Sequence, residues 1–299
     1  WYPSIEYETK NTTINVGLFE LTPFSKYEIN GKKSHSELQK LCTANIKEEI
    51  GRSTYTQMLN ESGGIEADLT VVSMGNDIFR IISSAATRTH DKTHILKHLS
   101  NKVAFKDITD DLVCLGIFGP KSRSLMSSIS GGNFSKEIFK FGYGKYININ
   151  LKKIWIQRLS YVGELGYELY IKNEDAEEIY DLIIKEGKNF KLSHCGAHSM
   201  DTMRMESGFL HWGHDISPEE NQYEACLDFT ISYKKKIDFI GKKSLMKIKD
   251  QIQSKRLVLF SLKKSVPGQP LLMHDEPIYL DDKIIGRSTS GNYSFNYKK

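Results

Sequence analysis

The chain has 299 residues, of which 39% are hydrophobic and 26% are charged, and its formal net charge is +4. This composition is typical of a globular protein with two or three structural units. The positive and negative charges are interspersed, which does not favour a nucleic-acid partner. No apolar run reaches the roughly 18 residues of a membrane span. Four cysteines without a C-x-x-C spacing indicate free thiols rather than disulfides or a zinc site.

The first half of the chain predicts short strands connected by turns, with two helices among them. Residues 1–15 are mostly polar and predict irregular structure. Apolar alternation and flanking glycine or asparagine turns predict strands at 24–29, 51–59, 65–73 and 78–83. Helical periodicity predicts helices at 34–41 and 87–101.

The second of these helices carries three histidines, four residues apart. His90, His94 and His98 share one stripe, and this spacing can hold a metal ion. Lys92 and Lys97 add positive charge beside the stripe, and no second segment supplies an obvious ligand. We therefore expect a solvated helix face and no metal.

The second half predicts the same mixture of elements and then changes character. Strands are expected within 103–118 and 139–150, helices after residue 119 and at 175–187 and 196–208, and a short strand with a helix at 236–248. From residue 256 onward, strands with Gly/Pro turns predict a separate all-β unit. Many neighbouring strands are joined by short turns, which favours an α+β fold. The chain contains no G-x-G-x-x-G or Walker loop, so we expect no dinucleotide or ATP site of those types.

A predicted hairpin at 158–171 is the most informative stretch. Gly163 and Gly166 permit a tight turn between two arms, one with Tyr161 and the other with Glu168. A carboxylate on a rigid strand can accept two parallel hydrogen bonds from a planar donor pair, such as a guanidinium or the 2-amino and ring N–H groups of a pterin. The alternative is a surface hairpin with a solvated Glu168.

Several motifs in this order resemble one family. They are 16–21 (VGLFEL), 64–69 (GIEADL), 116–120 (GIFGP), 161–169 (YVGELGYEL), 204–208 (RMESG), 212–215 (WGHD), 238–242 (DFIGK) and 289–291 (TSG). Together they resemble the folate-binding part of sarcosine and dimethylglycine dehydrogenases, which is similar to the aminomethyltransferase of the glycine cleavage system. The sequence at 161–169 resembles the demethylating dehydrogenases more than it resembles the glycine cleavage enzyme.

The resemblance implies an α+β, three-lobed aminomethyltransferase-like fold around a central folate channel. Residues 1–250 would form the folate-binding domain with two α+β lobes, and 251–299 a truncated C-terminal β-barrel. An FAD domain would precede residue 1 in the intact protein, and the last barrel strands would follow residue 299.

The implied function is capture of a one-carbon unit. FAD in the N-terminal domain would oxidise an N-methyl amine, and tetrahydrofolate bound here would take up the resulting iminium or formaldehyde as 5,10-methylenetetrahydrofolate. The expected location is the mitochondrial matrix or the bacterial cytoplasm. Alternatives are a glycine cleavage aminomethyltransferase accepting its unit from a lipoyl carrier, a demethylase that uses tetrahydrofolate as methyl acceptor, and a non-catalytic regulatory subunit similar to that of pyruvate dehydrogenase phosphatase.

The resemblance also implies roles for individual residues. Asp68 matches the catalytic acid, which would stabilise positive charge on the folate nitrogens and handle a proton; the alternative is a turn-capping Asp. Glu168 matches the pterin anchor, and Tyr161 would pack on or hydrogen-bond to the ring.

Two further positions carry a less direct implication. Arg204 would lie near the folate, with an ion pair to Glu206 or Asp201 as the alternative. Ser84 stands where the glycine cleavage enzyme typically has Asn, so an amide contact to the folate would be lost there.

Overall fold

The computed structural model describes residues 1–299. In chain order the elements are α1 (Tyr2–Ile14), β1 (Val16–Glu20), β2 (Ser25–Asn30), α2 (Ser34–Leu41), β3 (Ser53–Leu59), β4 (Ile65–Gly75), β5 (Ile78–Ser83), α3 (Arg88–His98), β6 (Ala104–Asp107), β7 (Leu112–Phe118), α4 (Ser122–Ser130), β8 (Gly144–Ile149), β9 (Lys152–Gln157), β10 (Gly166–Lys172), α5 (Ala176–Gly187), β11 (Leu192–Cys195), α6 (Ala197–Glu206), α7 (Lys242–Ile248), β12 (Pro277–Leu280) and β13 (Lys283–Arg287).

Two sheets organise the chain. The first sheet has the order β11-β1-β7-β10-β9-β8, and the second has the order β3-β4-β5-β2-β6. Every pairing in them is antiparallel except β1 with β11. Antiparallel sheets with helices on one face are the α+β arrangement, so the predicted fold class is confirmed.

Helices cover one face of each sheet. In the first sheet, Tyr167, Leu169 and Ile171 of β10 point into a core that includes Leu125 of α4 and Ile179 of α5. In the second sheet, the alternate residues of β4 at 67, 69 and 71 pack against Leu38 of α2 and Ile95 of α3. This period-2 burial fixes which residues of β4 and β10 face the other way.

The opposite faces of the two sheets meet in a third core, called here the inter-sheet core. It joins Val72 of β4 to Phe118 and Tyr170 of the first sheet, with Met203 of α6 beside them. The inward-facing sides of β4 and β10 therefore look toward each other across the middle of the molecule.

The N-terminal segment is helical, and the prediction of irregular structure at 1–15 is wrong. The buried side of α1 includes Thr9, Asn11 and Thr12, so it shows no apolar period. Asn11 Nδ2 donates to Ser193 Oγ at 2.8 Å and to the Lys191 carbonyl at 2.8 Å. The helix is held by these tertiary contacts with β11, which a local pattern does not reveal.

The last part of the chain contains one hairpin, β12 with β13, and no helix after α7. The structure contains no closed barrel, and the segment predicted as a strand before α7 is irregular. The division of the chain at residue 250 remains a prediction. None of the helices has both the length and the apolar character required to cross a membrane.

Candidate functional site

Asp68 lies on the side of β4 that faces the first sheet. Its neighbours in sequence, Ala67 and Leu69, are buried in the core behind the sheet, whereas Asp68 itself is half-buried. Gln57 is its register partner on β3 and donates from Nε2 to Asp68 Oδ1 at 2.7 Å. Burial raises the pKa of Asp68 to about 6, and the hydrogen bond from Gln57 acts in the opposite direction. A carboxyl with a pKa near neutrality can both stabilise a cation and exchange a proton.

Glu168 lies on the side of β10 that faces the second sheet, as Asp68 lies on the side of β4 that faces the first. It is half-buried on β10, on the same face as Tyr170, which belongs to the inter-sheet core. Tyr170 Oη donates to Glu168 Oε2 at 2.7 Å, and Gly116 and Gln157 flank Glu168 on the adjacent strands. Burial raises the pKa of Glu168, against the opposing effect of the Tyr170 hydrogen bond. The structure thus places a partly desolvated carboxylate on the sheet face that looks toward β4.

Tyr161 is not on a strand arm. β9 and β10 pair as predicted, but eight residues, 158–165, connect them, and Tyr161 lies in this loop. Its Oη donates to the Leu210 carbonyl at 2.7 Å, and its ring stacks on Phe209 at a centroid distance of 6.0 Å. The hairpin prediction is therefore corrected: side-chain contacts with the segment after α6 hold the loop open, instead of a tight turn at the two glycines.

Two other predicted residues influence the pKa of Tyr161. Burial raises the pKa of Tyr161; Arg204 acts against this effect and Asp68 adds to it. Tyr55, on β3, has a pKa raised first by burial and then by Asp68 and Tyr161. On β3, Tyr55 lies two residues from Gln57, the register partner of Asp68, and therefore shares the sheet face of Asp68; the sequence reasoning missed Tyr55.

Arg204 makes four hydrogen bonds to protein groups. It is 3% exposed, and its guanidinium donates to Asp201 at 2.6 Å, to Asp215 at 2.5 Å and to the Phe209 carbonyl at 3.1 Å. A fourth hydrogen bond goes to Ser290 at 2.8 Å. The ion pair with Asp201, which was the alternative to a folate contact, is present in the structure.

Asp215 completes this arrangement, called here the Arg204 cluster (Asp201, Arg204, Asp215, Thr289 and Ser290). The Asp215 carboxylate also accepts from Thr289 at 2.6 Å and from Ser290 at 2.8 Å. Three of the motifs that carried the family resemblance, at 204–208, 212–215 and 289–291, therefore meet in one place. The cluster joins α6 to the 209–215 segment, on which Tyr161 rests, and to Thr289 and Ser290 near the end of the chain.

Ser84 directly follows β5, one residue after Ser83, which pairs with Leu69 of β4. It is half-buried, and its carbonyl accepts a hydrogen bond from Ser25 Oγ at 3.0 Å. The position therefore lies at the end of the strand that neighbours Asp68, although Ser lacks the amide group of Asn.

The histidine stripe on α3 makes local contacts. His90 lies 3.0 Å from Glu66 and 3.2 Å from Asp91, and its ring packs near Trp212. His94 is half-buried beside His98, and burial lowers its pKa to about 4. No group of three or more His, Cys, Asp or Glu side chains has the geometry of a metal site.

Two cavities lie elsewhere in the molecule. One, of about 530 Å³, is lined by residues of α1 and β11 such as Tyr7 and His194. The other, of about 730 Å³, lies against β7 and α5 and includes Glu20 and Tyr180. None of the predicted site residues lines either cavity.

Comparisons with known proteins agree with these motifs. The family described as GCVT N-terminal domain matches residues 1–235. The chain is 35% identical over 294 residues to the 4-methylaminobutanoate oxidase (formaldehyde-forming) of Paenarthrobacter nicotinovorans, covering 98% of this chain and 35% of that protein. It is 32% identical to the mitochondrial dimethylglycine dehydrogenase of Rattus norvegicus, covering all of this chain and 35% of that protein. The chain thus spans about a third of the length of these two relatives.

Two further relatives are aligned over most of their own length. The aminomethyltransferase of Halothermothrix orenii is 30% identical, with 98% of this chain and 80% of that protein covered. The crystal structure of glycine cleavage system aminomethyltransferase T from Bartonella henselae superposes with a TM-score of 0.88 at 21% identity, covering 98% of this chain and 79% of that one. This likeness confirms the aminomethyltransferase-like fold. All four relatives bear the names of enzymes, and the chain belongs to the GCVT family, which its residues 1–235 identify.

Proposed function

We propose that this chain is the tetrahydrofolate-binding, one-carbon-accepting part of a demethylating dehydrogenase of the sarcosine or dimethylglycine type. The observation that carries the proposal is the placement of two partly desolvated carboxylates, Asp68 and Glu168, on sheet faces that look toward each other. Tyr161 lies beside the first of them. A flat ligand between the sheets would meet one acid at each end.

Tetrahydrofolate supplies two amine nitrogens, N5 and N10, which take up CH2 from formaldehyde with loss of one water, or from an iminium R–NH⁺=CH2 with release of R–NH3⁺. In this scheme Asp68, ionised above its pKa of about 6, stabilises the positive charge that develops beside those nitrogens and accepts a proton from them. Tyr161 keeps its proton, because burial raises its pKa. Its side chain packs against the pterin ring.

Glu168 has the role of anchor. Its ionised carboxylate accepts two parallel hydrogen bonds from the 2-amino group and ring N–H of the pterin. Tyr170 donates to Oε2 at 2.7 Å, which favours the ionised form and fixes the orientation of the carboxylate.

Arg204 contributes by positioning in this proposal. Its donors are used by Asp201, Asp215, Ser290 and the Phe209 carbonyl, so it holds the segment on which the Tyr161 ring rests. Ser84 would leave the folate without the amide contact that Asn provides in the glycine cleavage enzyme.

The one-carbon unit would come from an FAD domain in cis. About two thirds of the length of the oxidase and dehydrogenase relatives lies outside the part aligned with this chain, which is consistent with a separate oxidising domain. The substrate class is an N-methyl amine, and the proposed location is the mitochondrial matrix or the bacterial cytoplasm.

A second candidate is an aminomethyltransferase of the glycine cleavage type. It is favoured by the alignment over 80% of one such enzyme, against 35% of the dehydrogenases. The two candidates share the folate site and differ in the donor of the one-carbon unit.

The Asp68→Asn variant of the full-length protein tests the proposal. With an N-methyl amine and tetrahydrofolate supplied, we expect the yield of 5,10-methylenetetrahydrofolate relative to free formaldehyde to fall at least about tenfold, because the amide cannot take up the proton or balance the charge. Asp77→Asn is the matched control, since Asp77 is exposed in the β4–β5 turn. An unchanged ratio in Asp68→Asn would remove Asp68 from the mechanism.

A further inference from the structure

A buried row of amide and hydroxyl groups lies behind Asp68. Gln57 is 0% exposed and donates from Nε2 to Asp68 Oδ1 at 2.7 Å. Gln222, in the irregular segment between α6 and α7, is also 0% exposed and donates from Nε2 to Gln57 Oε1 at 2.7 Å. The Thr230 hydroxyl lies 2.6 Å from the same oxygen. The path from Asp68 to Gln222 is therefore continuous, and its two glutamines are inaccessible to water.

The hydrogen bonds at both ends of Gln57 are compatible with one orientation of its amide. The Oε1 atom faces the amino group of Gln222 and the Thr230 hydroxyl, so the amino group of Gln57 is the end that meets Asp68. A flipped amide would set two amino groups against each other and an oxygen against a carboxylate, which is unfavourable at both ends. Gln222 is itself held, with Nε2 at 3.1 Å from Thr43 Oγ1.

We infer that Gln57 is a positioning residue for Asp68, held in register by Gln222 and Thr230. It commits the Oδ1 atom of Asp68 to a fixed donor and leaves the other oxygen for the folate nitrogens. The inference rests on the proposed function, because it assigns Asp68 the role of the reacting acid. It also assigns a function to the 217–230 segment, which contacts β3 through Gln222.

The surroundings of Asp68 make this donor influential. Besides burial and Gln57, two titratable groups influence the pKa of Asp68: Tyr55 of β3 lowers it and Asp91 of α3 raises it. Burial raises the pKa of Asp68, and Asp91 adds to this effect to a smaller extent, whereas Gln57 is the largest influence in the opposite direction. Loss of the Gln57 donor should therefore shift Asp68 toward the protonated form at neutral pH.

The test is the pH profile of one-carbon transfer in the full-length protein with Gln57→Met, which preserves length and removes the donor. We expect the acidic limb to move upward by about one pH unit, so that the rate at pH 6 falls about fivefold further than the rate at pH 8.5. Gln222→Met should move the acidic limb in the same direction but by a smaller amount, because Gln57 remains and loses only its hydrogen bond from Gln222. Adding Gln222→Met to Gln57→Met should give no further shift.

Gln39→Met is the matched control. Gln39 is a buried glutamine of the same lobe, 5% exposed, which donates to Asn45 Oδ1 at 2.8 Å away from the site. We expect it to reduce stability without moving the limb. An unmoved limb in Gln57→Met overturns the inference, and so does a further shift of the limb in the double variant. If Gln57→Met does not fold, an unmoved limb in Gln222→Met overturns it instead.

A direct measurement separates this inference from the proposed function. The carboxyl carbon of Asp68 can be titrated by NMR in the wild type and in Gln57→Met without any folate. A rise of about one in the Asp68 pKa supports the positioning role even if Asp68→Asn leaves one-carbon capture unchanged, which would refute only the proposed function. An equal pKa in the two proteins refutes the positioning role.

Discussion

The replacement Glu168→Gln addresses the anchor of the proposed folate site most directly. The two side chains have nearly the same shape, so the change removes a charge and one acceptor and leaves no cavity. In the structure Tyr170 Oη donates to Oε2 of Glu168 at 2.7 Å. The carbonyl of the introduced glutamine would keep that bond, which would turn its amino group toward the amino and N–H groups of the pterin, and two donors would then face each other.

The magnitude follows from the loss of charge-assisted hydrogen bonds. A hydrogen bond to a charged group contributes about 1.5–3 kcal/mol, so the Kd for tetrahydrofolate should rise roughly 10- to 150-fold. We place the expectation toward the upper end, because the site is partly desolvated and the facing donors repel each other. The affinity of the wild type should also fall as the pH is lowered through the raised pKa of Glu168, because only the ionised form accepts both hydrogen bonds.

The assay is anaerobic titration calorimetry of tetrahydrofolate against the full-length protein between pH 6 and 8.5. Glu164→Gln is the matched control, since Glu164 is half-buried in the 158–165 loop and belongs to no proposed contact. Tyr170→Phe keeps the carboxylate but removes the donor that favours its ionised form, so its affinity should be lost at a higher pH than in the wild type. A Kd for Glu168→Gln within about twofold of the wild type would refute the anchor, because a charge-assisted pair cannot be lost at so small a cost.

Two stability predictions follow from the same structure. Arg204→Leu leaves the buried Asp215 carboxylate without its cation and should lower the free energy of unfolding by about 3–5 kcal/mol in urea titrations. Arg287→Leu, which breaks an exposed ion pair with Asp275, should have a far smaller effect, and equal losses would contradict the structural role of Arg204. Burial lowers the pKa of His94 to about 4. Between pH 6.5 and 4 the unfolded chain therefore binds more protons than the native chain, and the free energy of unfolding decreases as the pH is lowered. His94→Gln should remove part of that decline, and an identical pH dependence of the free energy of unfolding in both proteins would rule out this contribution of His94.

The element pattern was accessible from local sequence where one face of an element is apolar. Helix α2 spans the predicted 34–41, and β5 spans the predicted 78–83. The alternation of β10 also placed Glu168 opposite the buried Tyr167 and Leu169. Such patterns are readable because burial of every second or every third to fourth residue is a property of the element alone.

The polar contacts of the candidate site were not accessible in this way. Gln57 is one of many polar residues on predicted strands, and its importance follows from register with Asp68 and from Gln222, 165 residues away. Arg204 looks the same in the sequence whether it binds a ligand or Asp215, and only the packing of α6 against residues 209–215 and 289–290 decides between the two partners. A hydrogen bond depends on the distance and angle between two specific atoms, and no local periodicity encodes these for segments far apart in the chain.

By itself, the sequence determined the α+β class, most element positions and, through its ordered motifs, the family. The tertiary structure decided that α1 is helical, that Tyr161 lies in a loop supported by the segment after α6, and that Arg204 is occupied by protein partners. Burial along one element is a local and repetitive property, whereas docking of polar surfaces depends on how the two sheets and their connecting segments come together.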